Sequence, residues 1–236
     1  KKDNFIKLRL KKKYISNARN YLSPNTETNQ YLVHYGAKEN KIRLYPYSNI
    51  YEKDLVSIKE NNTSNGVFIS VGQFIPRKNN EQLIEIFNNL EEKLILIGDG
   101  PLKTKYEKLI MKDNISILPY QDKESLFNIM RESKALITLS KEDIFGHTVI
   151  EAFANGLPVI SSNKVISGLQ IIKKGYNGFI INLDNNTEIL EAIHSINKIN
   201  RADCVNSVSK FTIEESKKEI LKEYNLFYYS TGKFRL

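Results

Sequence analysis

Cysteine is nearly absent. Cys204 is the only one, so no intrachain disulfide can form, and a cytoplasmic setting is the expectation. Histidine is scarce as well. His34, His147 and His194 are scattered without the spacing of metal ligands. No apolar run approaches the ~18 residues that a membrane span needs. No basic start followed by an apolar centre and a small-residue cleavage site opens the chain. What is present is an ordinary globular balance, 41% hydrophobic and 26% charged over 236 residues. That length holds one good core, or one domain with part of another.

The formal net charge is +8 and the pI about 9.3. Nucleic acid, an anionic membrane surface or a phosphorylated substrate would each account for this. Much of the excess lies in Lys1-Lys2 and from Lys7 to Lys13. No basic-aromatic pattern of a nucleic-acid module recurs, so nucleic acid is not an expected partner. The basic start reads either as a solvated helix face or as a peripheral contact with anionic lipid at the inner membrane face.

Ile6, Leu10, Tyr14 and Ala18 recur every four positions and predict a helix from Lys1 to Ala18. A strand end at Asn20–Ser23, a helix capped by Thr26 or Thr28 and a short strand at Lys41–Tyr45, closed by Pro46, follow. Residues 47–66 are polar and read as a linker. Beyond Gly66 the pattern becomes regular. Apolar strands at 67–71, 94–97, 115–118, 135–139, 158–160 and 178–181 alternate with helices at 79–90, 102–111, 123–133, 147–155 and 187–199. An amphipathic helix over 213–229 ends the pattern. Short, continuously apolar strands between helices predict an α/β fold with a doubly wound parallel sheet. Ligands of such sheets bind beyond the carboxyl ends of the strands. The expected division is a preceding domain's tail over 1–46, a linker over 47–66, a domain carrying the parallel sheet over 67–205 and a C-terminal helical segment over 206–236. A chain that starts without Met and carries only a tail of its first domain is expected to be a cut or processed piece.

Three loops after strands hold candidate chemistry. Gly72-Gln73 to Arg77-Lys78 puts two cations at a helix start, where a diphosphate would meet them and the helix's positive end; taken alone, they read more readily as solvated charges. Gly98-Asp99-Gly100 is half of a dinucleotide fingerprint without its third glycine, and tight turning explains it. The third segment runs from Ser140 to Ser161. Asp143 follows a strand, Phe145-Gly146 begin a helix, Glu151 lies inside it and Gly156 ends it. About 800° of helical turn would leave Asp143 and Glu151 ~80° apart, facing one cleft. Free amides near Gly146, His147 and Thr148 would hold a phosphate between them. On spacing alone, Asp143 as a helix cap and Glu151 as a surface acid explain the same residues.

The segment reads S-K-E-D-I-F-G-H-T-V-I-E-A-F-A-N-G-L-P-V-I. It resembles the E-x7-E signature of retaining group-1 (family 4) glycosyltransferases of the GT-B fold. Glu151 stands at the second acid, Asp143 replaces the first, and Glu142 is one residue early. Val71-Gly72-Gln73 through Lys78 is similar to the family's V-G-R…K loop, and Leu96 to Pro101 to its second strand and turn. The resemblance implies a Rossmann-like, nucleotide-sugar donor-binding domain over 67–205, preceded by a remnant of the acceptor domain, with the C-terminal helix of 206–236 packing back towards that acceptor domain. It implies that Glu151 binds the donor ribose, that Asp143 contacts the sugar, and that Lys78 and the amides of Gly146, His147 and Thr148, beside Phe145, hold the diphosphate. Leu118 to Gln121, with Tyr120, would edge the base. Gln73 stands where the family has Arg, with Arg77 as substitute. No metal cofactor is implied.

The implied reaction is hexosyl transfer from a nucleoside-diphosphate sugar, UDP favoured, to a glycan or lipid-linked acceptor. The missing N-terminal domain would act in cis or trans. The competing reading, favoured by Gln73 and Asp143, is a non-catalytic nucleotide-sugar-binding or scaffold subunit. An epimerase or phosphorylase of the same fold is a weaker third.

Overall fold

The computed structural model describes residues 4–45, 47–58 and 64–231, without the side chains of 223 and 225–231. Lys1 and Lys2 of the basic start, and Pro46 as the end of a strand, lie outside the described residues. Described parts of Lys1–Ser48 and Phe211–Leu236 form one compact unit, and Asn49–Lys210 another.

The first unit contains α1 (Phe5–Asn17), β1 (Tyr21–Ser23), α2 (Thr26–His34) and β2 (Ile42–Leu44). β1 and β2 pair in parallel, Tyr21 opposite Ile42 and Ser23 opposite Leu44. Asn25, rather than Thr26 or Thr28, caps α2, accepting from the Thr28 amide at 2.7 Å. Asn4 caps α1, and Ala18 falls beyond its end. Ile6, Leu10 and Tyr14, which share one face of α1, are all exposed.

The second unit runs β3 (Val67–Val71), α3 (Asn80–Asn88), β4 (Lys93–Ile97), α4 (Lys103–Leu109), β5 (Ile115–Leu118), α5 (Lys123–Glu132), β6 (Ala135–Thr138), α6 (His147–Ala154), β7 (Val159–Ser162), α7 (Ile166–Ile171), β8 (Gly178–Ile181), α8 (Asn186–Ser195) and α9 (Arg201–Val208). The chain then enters α10 (Ile213–Thr231), assigned with the first unit. The six strands pair in parallel in the order β5-β4-β3-β6-β7-β8. Phe68 and Ile69, Leu136 and Ile137, and Val159 and Ile160 are solvent-free neighbours along their strands. Consecutive buried residues require cover on both faces, which the crossover helices supply. Leu83, Ile84 and Phe87 fix α3 to the sheet, with Phe87 edge-on to Phe68 at 5.5 Å between centroids.

The chain moves from β3 outward to β5, then returns to the other side of β3 as β6. This reversal creates a topological switch point. The β3–β6 register stops at Ile69–Leu136, whereas β3 continues beside β4 to Val71–Ile97 and β6 beside β7 to Thr138–Ser161. The carboxyl ends of β3 and β6 are therefore unpaired with each other, and a crevice opens between them.

Two helices go beyond the periodic pattern. α7 lies between the strands expected at 158–160 and 178–181, where no helix is predicted, and α9 buries only Cys204 and Val208 among its described side chains. The boundary at 205 falls inside α9. Arg201 binds that helix to the end of α5 through the carbonyls of Ser133, Met130 and Arg131. Burial pushes the Cys204 thiol up to about 12, which leaves it protonated at neutral pH. Part of the polar stretch 47–66 packs onto the second unit: Ile50 is solvent-free, and the Val56 amide donates to Ala154 O at 2.9 Å.

Phe87→Ala is expected to cost about 3–5 kcal/mol of stability by urea unfolding. A loss below ~1 kcal/mol would show that α3 is not anchored by this ring.

Candidate functional site

The crevice is walled by the loops that leave β3 and β6. Gly98 lets the neighbouring loop after β4 press onto the first of these. At φ +147, an added Cβ there would lie 2.0 Å from the Gly72 carbonyl oxygen. Phe74, buried and set against Tyr106, holds the same loop from below, and its backbone bonds Asp99 O and the Leu102 amide. The Gly98-Asp99-Gly100 turn thus exists for a close approach between loops, without a nucleotide fingerprint.

Three bonds tie the crevice walls together. The Lys141 amide donates to Arg77 O at 2.7 Å, Arg77 Nη1 to Glu142 O at 3.2 Å, and Lys78 Nζ to Asp143 Oδ2 at 2.5 Å. The ion pair is largely enclosed, at 14% and 15% side-chain exposure. Asp143 Oδ1 also accepts from the Gly146 amide at 3.1 Å. Burial by itself would raise the Asp143 pKa. The Lys78 hydrogen bond and charge, the Gly146 amide and Arg77 outweigh it, so the carboxyl lies below its ordinary 3.8.

This geometry corrects the helical-wheel argument. α6 starts at His147, so Asp143 stands in the loop, its backbone paired with Lys164 O and the Ile166 amide. The Gly146 amide is not free, because Asp143 uses it. Arg77 is exposed and already bound to the opposite loop. Gly146 adopts φ +53, and a side chain there would strike Val165 and Ser167. Phe145 stacks on His147 at 5.8 Å. Burial lowers the His147 pKa and Asp143 opposes the shift, with a net value below 6.5. Thr148, the second residue of α6, is half-buried.

Gly72, Gln73 and Tyr120 line one cavity of about 370 Å³, together with Asp99, Gln121 and Leu126. Tyr120 projects from it, 79% exposed. Glu151 faces different neighbours. Its Oε1 accepts from Asn49 Nδ2 at 2.5 Å. Burial raises its pKa above 4.5, the Asn49 bond and Lys123 pull it down in part, and Asp54 adds to the rise. Asn49, Asp54 and Lys123 are not among the expected site residues. The periodic pattern puts Lys123 at a helix start, which the Asp122 cap of α5 bears out, but no local pattern joins it to Glu151.

Residues 52–211 match the family model for glycosyl transferases, group 1. The chain belongs to that family. An uncharacterized glycosyltransferase of Methanocaldococcus jannaschii is 30% identical over 159 residues, which cover 66% of this chain and 43% of the relative. The chain thus spans less than half the length of that relative. The sucrose-phosphate synthase of Thermosynechococcus elongatus superposes with a TM-score of 0.79 at 18% identity, over 98% of this chain and 63% of that one. Anabaena HepE, solved in complex with UDP, superposes at 0.78 and 15% identity, over 93% and 67%. The Rossmann-like, GT-B-type fold expected from the sequence is the fold found.

Asp143→Asn is expected to lower stability by about 1–2 kcal/mol at pH 7. The native carboxyl titrates below its unfolded value, so its contribution is full above about 4 and fades as pH falls through the native pKa. Denaturant melts of both forms should therefore converge in acid. A difference that persists below pH 2 would mean the pair does not stabilise the fold.

Proposed function

We propose that this chain is the donor-binding part of a retaining glycosyltransferase that uses a nucleoside-diphosphate hexose, UDP favoured. The observation that carries the proposal is the Lys78–Asp143 pair at the switch point, beside the start of α6. An enclosed lysine there has the charge and position to take a diphosphate, and the first turn of α6 adds its positive end. Glu151 accepts hydroxyls of the ribose, Gly72 lets the chain pass close to the phosphates, and Tyr120 edges the base above Gln73. Asp143 keeps Lys78 in place before the donor arrives, then serves the sugar.

The bond from the sugar C1 to the β-phosphate oxygen breaks, and a bond from C1 to the acceptor oxygen forms on the same face. The acceptor proton passes to the departing phosphate. Negative charge grows on the diphosphate as it leaves, where Lys78 and the α6 amides of His147 and Thr148 stabilise it without a metal ion. The acceptor, a glycan or lipid-linked hydroxyl, is bound by an N-terminal domain supplied in cis or trans. The exposed Phe5, Ile6, Leu10 and Tyr14 among the lysines of α1 support a peripheral contact with anionic lipid. Gln73, exposed where the family has Arg, favours a second reading, a subunit that binds the nucleotide sugar without turnover.

Calorimetry with UDP, GDP and uridine tests the donor site. Lys78→Ala should weaken UDP at least about tenfold and leave uridine unchanged, because only the diphosphate meets the lysine. Equal weakening of both ligands, or no UDP binding by the parent chain, would remove the assignment. Turnover by the form carrying an acceptor domain separates the enzyme from the binding subunit.

A further inference from the structure

The carboxylate of Glu151 is held from outside the sheet. Asn49 Nδ2 donates to its Oε1 at 2.5 Å, across 102 residues of sequence. No described residue donates to the other oxygen, Oε2. The fully enclosed polar atoms without a partner include Asn49 Oδ1 but neither oxygen of Glu151. Oε2 therefore keeps accessible surface, while Oε1 is occupied.

Asn49 itself is poorly explained by stability. Its side-chain oxygen Oδ1 is buried with no donor, a loss for the fold that an apolar side chain would avoid. Reversing the amide would set that oxygen against the carboxylate, so its orientation follows from Glu151. The short segment carrying Asn49 is tied down separately. Lys123 Nζ binds Asp54 Oδ2 at 2.6 Å and reaches the backbone carbonyl of Asn49 at 3.5 Å. Asp54 also accepts from the Tyr51 amide at 2.8 Å, and the Lys123 ammonium lies over the Tyr51 ring. The clamp holds Asn49 over α6 whether or not Glu151 is charged.

We infer that Asn49 is a positioning residue for donor recognition: it pins one oxygen of Glu151 and so presents the other to a hydroxyl of the nucleotide sugar. The inference rests on the proposed donor site. The geometry gives the amide a task that the fold alone does not require. A carboxylate fixed at one oxygen has a single free acceptor in a defined place, which suits a ligand hydroxyl better than a mobile side chain does. The same bond favours the ionised form of a carboxyl that burial penalises, with Lys123 helping and Asp54 opposing.

The test is UDP titration of the chain between pH 5 and 8, by calorimetry, for the parent, Asn49→Leu, Glu151→Gln and the double variant. Asn49→Leu should weaken UDP about tenfold at pH 6, with less weakening at pH 8. The pH at which acid abolishes binding should move upward, because Glu151 protonates sooner without its donor. In the Glu151→Gln background the same change at Asn49 should cost less than about twofold. Asn49→Ala provides a second variant with the same expected profile, should Leu crowd the site. Thermal melts of the two Asn49 variants should match the parent or exceed it. Equal weakening in both backgrounds, or an unshifted acid limb, overturns the inference and leaves the donor site standing. If Glu151→Gln itself leaves UDP binding unchanged, the donor-site reading fails and the inference falls with it.

Discussion

An enclosed charge pair, Lys78 with Asp143, sets the terms for the crevice at the switch point. Each partner has lost most of its water, and neither could stay charged there alone at small cost. The surroundings are arranged to keep the two together. Gly72 leaves room for the lysine stem, whose Cε would lie 3.3 Å from a Cβ at that position. Asp143 is fixed through its backbone to Lys164 and Ile166, and through its carboxylate to the Gly146 amide. Behind it, Ser162 Oγ donates to Ser140 O, so the loop is anchored to the end of β7. The two crevice walls therefore form one structure, although their strands no longer pair.

Most of the Ser140–Ser161 signature is spent on packing. Ser140, Ala152, Phe153, Ala154, Val159, Ile160 and Ser161 are buried to within 1% exposure. Ala152 and Ala154 keep α6 close to its neighbours. Side chains with accessible surface are fewer, among them Asp143, Phe145, His147, Thr148 and Glu151. A sequence match over this segment thus reports the fold more strongly than it reports chemistry.

The sheet was legible because its strands are buried on both faces, and a run such as Val67–Val71 or Ala135–Leu139 cannot be mistaken for a surface helix. The loops at strand ends followed from topology. Less was legible where the cause is tertiary. α9 offers two buried positions and no apolar stripe, so only its packing reveals it. α1 has a regular apolar spacing, yet that face is exposed in this chain. The angular relation between Asp143 and Glu151 failed because the helix begins four residues after Asp143. Asn49 was hidden by its setting, a polar stretch that composition alone reads as a linker.

The two acids of the signature have environments that push their pKa values in opposite directions. Asp143 is stabilised as an anion by a lysine, whereas Glu151 is made costly to ionise by burial and relieved in part by an amide. Such a split suits different tasks. In the proposed reading, a diphosphate arriving at Lys78 competes with Asp143 for one cation, so its binding is an exchange of anions, with little net desolvation of the lysine. A ribose at Glu151, in that reading, offers neutral hydroxyls to an acceptor whose other oxygen Asn49 holds. In the proposed reading, the charged half of the donor is therefore recognised by substitution and the neutral half by a prepared hydrogen bond.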